Sequence, residues 1–482
     1  MKLNEIKLTN PYLNLTEECY DKVAPTPLTK PHLIHVNKDV AETLNIDASE
    51  LETEAFVQFL NGAYKPEGSD TFAMCYAGHQ FGHFVPRLGD GRAINIGTMD
   101  KYHLQLKGAG MTEYSRNGDG RAVLRSSIRE YLMSEAMQGL KIPSTLCLGI
   151  IGSEHDVRRE QVEKAAIVCR VSTSWVRFGT FEYYASQGMF EELKALADYV
   201  IEESFPHIKG KNDPYTLLFN EVMVITSRLM AQWMSVGFNH GVMNTDNMSI
   251  AGLTIDYGPY AFLDDFRHEH VCNHTDVEGR YSYTNQPSVA KWNLQMLMKA
   301  LSPIANMEKM EKILVIYDKI YVRYLHYYMC KKLGLEGTVD GDPELIDDMY
   351  DMLESSHVDY TLFMRTLSHY EHKADRTALL ATGLGHEAMQ KSMNMWLDRY
   401  DERIQYIDKT VRKKQMLENN PKYVLKNYML QVAIDAAEEG DFSLVDDLFK
   451  IAQHPFDEHS EFEHWAEATP EAYKNKKLSC SS

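Results

Sequence analysis

An asparagine and an aspartate with hard oxygen donors, Asn247 and Asp256, lie close together in a stretch rich in glycine and polar residues. It reads His240-Gly-Val-Met-Asn-Thr-Asp-Asn247, followed by Ile255-Asp-Tyr-Gly258. One or two such oxygens, completed by phosphate oxygens and water, are what Mg²⁺ prefers. Asp246, beside Asn247, is the nearest carboxylate that could take a proton. Upstream, Gly-Asp-Gly followed by Arg occurs twice, in Leu88-Gly-Asp-Gly-Arg92 and in Asn117-Gly-Asp-Gly-Arg121. Glycine lets backbone N–H groups come close to a phosphate and adopt the positive φ of an anion-binding nest. One copy is only a turn signal, whereas two copies flanking a lysine, Lys107, point to phosphate binding. Arg170 and Arg177, in an apolar and aromatic segment, could clamp a terminal phosphate bidentately.

The elements that must hold these groups follow from periodicity. Residues 93–97 and 103–107 alternate as a β-hairpin, with Leu104 and Leu106 on one face and His103, Gln105 and Lys107 on the other. Residues 121–138 read as a helix with Leu124, Ile128 and Leu132 in its apolar stripe, and that helix carries Glu130. A strand lysine followed by a helix glutamate matches the ion pair of kinase folds. Laid on the kinase catalytic loop H-R-D-x-x-x-x-N, His240 and Asn247 take the outer places, and Asp256-Tyr-Gly258 stands for D-F-G. Val242 falls on the catalytic aspartate and cannot accept a proton. Strand-like runs at 146–151 and 165–171 complete a β-rich region, and helical patterns dominate beyond residue 182.

The expected architecture is α+β and two-lobed, protein-kinase-like, with terminal extensions. Its expected parts are an extension over 1–67, a β-rich nucleotide-binding lobe over 68–182, a helical metal-bearing lobe over 183–342 and an acidic helical extension over 343–482. A chain of 482 residues, 44% hydrophobic and 25% charged, has material for two to four domains. Its net charge of −19 opposes binding to nucleic acid or anionic lipid. Positive charge concentrates in 87–177, with fourteen Lys and Arg against ten Asp and Glu. No run is apolar enough to span a bilayer and no signal core opens the chain, so a cytoplasmic, monomeric protein is expected.

Long strings carry a resemblance to a known family. Ala77-Gly-His-Gln-Phe-Gly82, Leu104-Gln-Leu-Lys-Gly-Ala-Gly110, Tyr114-Ser-Arg-Asn-Gly-Asp-Gly-Arg121, Leu124-Arg-Ser-Ser-Ile-Arg-Glu130 and Gly241-Val-Met-Asn-Thr-Asp-Asn-Met-Ser249 resemble the selenoprotein O family. The resemblance implies a kinase-like fold that binds ATP in a flipped orientation and transfers AMP to Ser, Thr or Tyr hydroxyls of proteins. It implies that Gly89, Gly91, Arg92, Lys107, Asp119, Gly120, Arg170 and Arg177 hold the nucleotide, with Glu130 pairing Lys107. It also implies that Asn247 and Asp256 hold Mg²⁺ or Mn²⁺, that Asp256 contacts the nucleotide too, and that Asp246 is the base. Arg87 and Glu113 depart from the family pattern, where Gln and Pro are expected. The alternatives are a phosphotransferase using Asp246, UMP transfer from UTP by the same site, and a catalytically dead nucleotide-binding scaffold.

Seven cysteines at scattered spacings form no zinc or disulfide pattern. Cys480, in a tail that resembles the family's, is a redox candidate, with Cys272 in a polar, His-rich stretch as its expected partner. His268, His270, Cys272 and His274 alternate like ligands on a strand, but are read as histidines near a cleft. His79 and His83 are read as shaping a loop.

Overall fold

A computed structural model describes residues 1–159, 161–337, 339–371, 375–383 and 387–474. Its strands are β1 (Tyr20–Lys22), β2 (His32–Val36), β3 (Phe72–Gln80), β4 (His83–Gly89), β5 (Ala93–Met99), β6 (Tyr102–Lys107), β7 (Ala122–Val123), β8 (Leu146–Arg158) and β9 (Val162–Ser172). They pair antiparallel in the order β1-β3-β5-β6-β9-β8-β2, with β4 added to β3 and β7 to β9. A small pair, β10 (Phe238–Asn239) and β11 (Ala261–Phe262), brackets the loop that carries Asp246 and Asp256.

Register explains which side chains share the functional face. Gln105 of β6 stands directly opposite Asn95 of β5 and Arg170 of β9, so the three form a row across the strands. Lys107, two residues on from Gln105, emerges on the same face. Leu104 and Leu106 face the other way and are fully buried. There they pack with Ile94, Ile167 and Val171, covered by Leu3, Ile6, Leu8, Phe56 and Leu60 from the first part of the chain. The segment before residue 68 is thus the back wall of the sheet and supplies strands to both ends of the strand order, besides helices α1 (Lys38–Thr43) and α2 (Glu54–Leu60). Its strands, of three and five residues, are too short for alternation to betray them.

Helix α3 (Leu124–Gly139) lies on the functional face. It starts three residues later than the sequence suggests, because Ala122 and Val123 first pair with β9. The second glycine loop therefore does not run straight into the helix. Leu124, Ile128 and Leu132 are buried as expected.

Helices α4 (Phe178–Gln187), α5 (Phe190–Ser204), α6 (Pro214–Ser235), α7 (Gln286–Leu301), α8 (Met307–Val315) and α9 (Tyr317–Lys332) follow. They share one core with α3, built around Phe181, Leu196, Met230, Trp233 and Leu297. A second helical core, with Met349, Phe363, Trp396 and Tyr400, joins α10 (Asp342–Ser356), α11 (Tyr360–Ser368), α12 (Arg376–Leu380), α13 (Glu387–Ile404) and α14 (Lys409–Leu417). Helices α15 (Asn427–Glu438) and α16 (Ser443–Gln453) return to α3, where Phe449 stacks on Tyr131 at 5.5 Å between ring centroids. Among the described residues no helix is long and apolar enough to cross a membrane.

Candidate active site

A cavity of about 510 Å³ opens between the polar face of the sheet, the start of α3 and the loop after β10. Gly89, Gly91, Arg92, Lys107, Asp119, Gly120, Glu130, Arg170, Arg177, Asn247 and Asp256 all line it, so residues far apart in sequence meet on one surface. Its size suits a nucleotide.

Its floor is a network of buried ions. Lys107 Nζ lies 2.6 Å from Glu130 Oε2 and 3.8 Å from Asp256 Oδ1. Arg170 bridges the same two acids, 2.9 Å from Glu130 Oε1 and 2.7 Å from Asp256 Oδ1, and also donates to Gln105. Arg177 donates to the other oxygen of Asp256 and, at 2.6 Å, to the Asp246 carbonyl. The two guanidiniums lie over Trp175 and Tyr76, 4.7 and 4.8 Å from the ring centroids. Burial works to raise the Asp256 pKa, but Arg177, Arg170 and Lys107 hold it well below the usual carboxylate range. For Lys107 burial wins over Glu130 and lowers the pKa.

His240 fixes the approach of Asp256. Val242 N–H points at His240 Nδ1 at 3.4 Å, leaving the ring proton on Nε2 to be donated to the Ile255 carbonyl at 2.9 Å. Burial lowers the His240 pKa, in keeping with a neutral ring stacked on Trp233. Asp256 itself takes a left-handed backbone, φ 56°.

Asp246 is buried beside this floor. Its Oδ2 accepts from Gln80 Nε2 at 3.3 Å, while Oδ1 has no hydrogen-bond partner. Burial pushes its carboxyl up to about 6, against the opposing pull of Arg177. Gly78 makes room for it, because a Cβ there would lie 2.5 Å from Asp246 Oδ1.

The donors fit a hard divalent cation. Asn247 gives its amide N–H to the Val242 carbonyl at 3.0 Å, which leaves its oxygen for a ligand, and the Asp256 carboxylate lines the same cavity. Among the described residues no group of three or more His, Cys, Asp or Glu could hold a metal. The alternating residues of 268–274 form no such group.

Several expected residues have a more structural setting than their sequence motifs suggest. Asp119 accepts a bidentate pair from Arg159, 2.9 Å to each oxygen. Arg121 ties down the loops through the Thr26 and Gly108 carbonyls. Gly120 has φ 67°, and a Cβ there would stand 2.1 Å from Gly110, so the close approach of the two loops requires glycine. The departures Arg87 and Glu113 meet each other in an exposed contact at 3.5 Å. Cys272 does not lie in an accessible polar stretch. It is 2% exposed, with Sγ 2.7 Å from both Asn239 Oδ1 and the Pro259 carbonyl; Cys480 lies outside the described residues.

Sequence reasoning missed Gln105, Asp90, Arg159, Gln80 and Glu182. Asp90 sits inside the first glycine motif, where it accepts from Gln105, Asn95 and the Met74 N–H. Alternation from Lys107 could have found Gln105, but no local signal marks Arg159 or Glu182.

Three cations converge on one half-buried carboxylate, one of them, Lys107, paired with Glu130, and two hard oxygens line the same cavity, a setting that suits a polyphosphate. A family model described as protein adenylyltransferase SelO matches residues 2–453. The protein nucleotidyltransferase YdiU of Myxococcus xanthus (strain DK1622) is 44% identical over 488 residues, spanning 100% of this chain and 99% of that protein. The protein of that name from Herminiimonas arsenicoxydans is 43% identical over 493 residues, spanning 100% and 98%. The one from Aliivibrio salmonicida (strain LFI1238) is 42% identical over 486 residues, spanning 99% of each. The chain belongs to the SelO family and is a nucleotidyltransferase.

Proposed function

We propose that this enzyme is a protein adenylyltransferase, moving AMP from ATP to Ser, Thr or Tyr hydroxyls of proteins in a kinase-like, two-lobed arrangement with the nucleotide reversed. The observation that carries the reading is the contrast between Val242 and the cations. Val242 lines the cavity where a phosphotransferase of kinase type would need its carboxylate, while Lys107, Arg170 and Arg177 crowd the floor. Cations so placed suit the outer phosphates, leaving the α-phosphorus toward the acceptor. Family membership supports the same conclusion.

In this mechanism the acceptor oxygen bonds to the α-phosphorus and the bond from that phosphorus to the bridging oxygen breaks. The electron pair leaves with pyrophosphate, and Asp246 takes the hydroxyl proton. Lys107, Arg170 and Arg177 stabilise the charge that builds on the departing phosphates. Asn247 and Asp256 would hold Mg²⁺ or Mn²⁺, which when bound neutralises phosphate charge. Glu130 keeps Lys107 and Arg170 aimed into the cavity. Incubation with ATP labelled at either the α- or the γ-phosphate tests the reading. Label from the α position on protein is expected, and label from γ alone would replace AMP transfer with phosphotransfer.

A further inference from the structure

The motif Ala77-Gly-His-Gln-Phe-Gly82 ends β3, and nothing in the chemistry above uses its histidine or glutamine. In the structure the last two residues of β3 and Phe81 just beyond it reach three successive residues, Asn244 to Asp246, of the turn that carries Asp246. His79 N–H donates to Thr245 Oγ1 at 2.7 Å, Gln80 Nε2 donates to Asp246 Oδ2 at 3.3 Å, and Phe81 N–H donates to Asn244 Oδ1 at 3.1 Å. The Thr245 hydroxyl in turn donates to Glu182 Oε2 on α4, and Glu182 Oε1 lies 2.5 Å from His79 Nδ1. Strand, helix and turn are thereby closed into one ring of hydrogen bonds. Thr245 is fully buried and Glu182 nearly so. A buried carboxylate left without these partners would be costly, so the ring has strong reason to stay closed.

The consequence falls on Asp246. It shares a short helical turn, Thr245–Asn247, with the hydroxyl that the ring fixes. Gln80 both lines the cavity and holds Oδ2 of the carboxylate, while Oδ1 is buried against Gly78 without a hydrogen-bond partner. We propose that Gln80 and Thr245 are positioning residues for Asp246: Thr245, locked by Glu182 and the His79 backbone, sets the turn, and Gln80, at the cavity wall, holds Oδ2 and so sets the orientation of the carboxylate. This rests on Asp246 being the base.

The test compares variants in transfer of α-labelled AMP to protein, with ATP affinity measured separately by calorimetry. Thr245→Val keeps the shape and removes the hydroxyl. It is expected to lower kcat about tenfold or more, with KM and affinity for ATP changed less than about twofold. Thr245→Ser, which restores the hydroxyl, should recover most of the rate. Gln80→Leu should slow the parent comparably, yet have little further effect in an Asp246→Asn background, because it acts through that carboxylate. Parent rates in Thr245→Val, no recovery in Thr245→Ser, or an equal slowing by Gln80→Leu with and without Asp246 would each overturn the proposal. Absence of α-label transfer by the parent would instead remove the functional reading on which it rests. Gln80→Leu provides a separate readout should Thr245→Val fail to fold.

Discussion

Two aspartates ten positions apart on one loop, half-buried Asp256 and buried Asp246, have opposite surroundings. Asp256 is held by Arg170, Arg177 and Lys107, and its carboxyl stays well below the usual range. Asp246 has one long amide contact and an oxygen without a partner, and burial pushes it up to about 6. The first environment keeps a permanent anion among cations, which suits holding charge. The second leaves a carboxylate with unspent proton affinity, which suits taking a proton. Residue type alone does not distinguish the two; their neighbours do, supplied by β6, β9 and the segment before α4 to one and by β3 to the other.

The largest break in this contrast is Asp256→Ala. It should reduce transfer to background and leave three cations facing one another, costing about 3–5 kcal/mol of stability. Activity with labelled ATP and a thermal melt read both effects. Next comes Asp246→Ala, expected to slow transfer by about 10² to 10⁴ while ATP still binds. An unchanged rate with a protein acceptor would show that this carboxylate is not the base. Glu130→Gln is expected to weaken ATP use by about tenfold, by leaving Lys107 and Arg170 to Asp256 alone; steady-state kinetics against ATP checks it.

How far the sequence exposes this contrast depends on the range of the contacts. Alternation sets the face of Lys107 and periodicity the helix that carries Glu130; the lysine–glutamate pattern of kinase folds pairs them, and the two side chains meet at 2.6 Å. Asn247 and Asp256 are legible from the spacing of their loop. The braces on Asp246 come from Gln80 and Glu182, whose contacts with the turn depend on β3 and α4 crossing it, and no periodicity encodes that crossing. Cys272 misleads for a related reason, since its polar neighbours in sequence conceal a thiol packed against Asn239 and Pro259. The early strands β1 and β2 are hidden by their brevity.

Lys332 sharpens the comparison from the cationic side. It is buried, donates to the Asn419 carbonyl at 3.1 Å, and burial lowers its pKa from 10.5 to about 7. The unfolded chain therefore binds the extra proton between these values, and stability falls as pH drops from about 10.5 to about 7. Lys332→Met should flatten that slope and stabilise the protein at pH 7 by on the order of a few kcal/mol, seen in melts at pH 7 and 9. Smallest is Arg87→Gln, which removes an exposed contact with Glu113 and a guanidinium 5.6 Å from the Tyr114 ring and should shift stability by less than about 1 kcal/mol.

The measurement closest to the central claim is identification of the phosphorus product when the enzyme, ATP and a protein acceptor react in the presence of Mg²⁺. Phosphorus NMR of the mixture should show pyrophosphate accumulating in step with modified acceptor, because in the proposed placement the outer phosphates, facing Lys107, Arg170 and Arg177, leave together. Accumulation of ADP in step with modified acceptor would mean that the γ-phosphorus is the one transferred, and would contradict the reversed placement of the nucleotide.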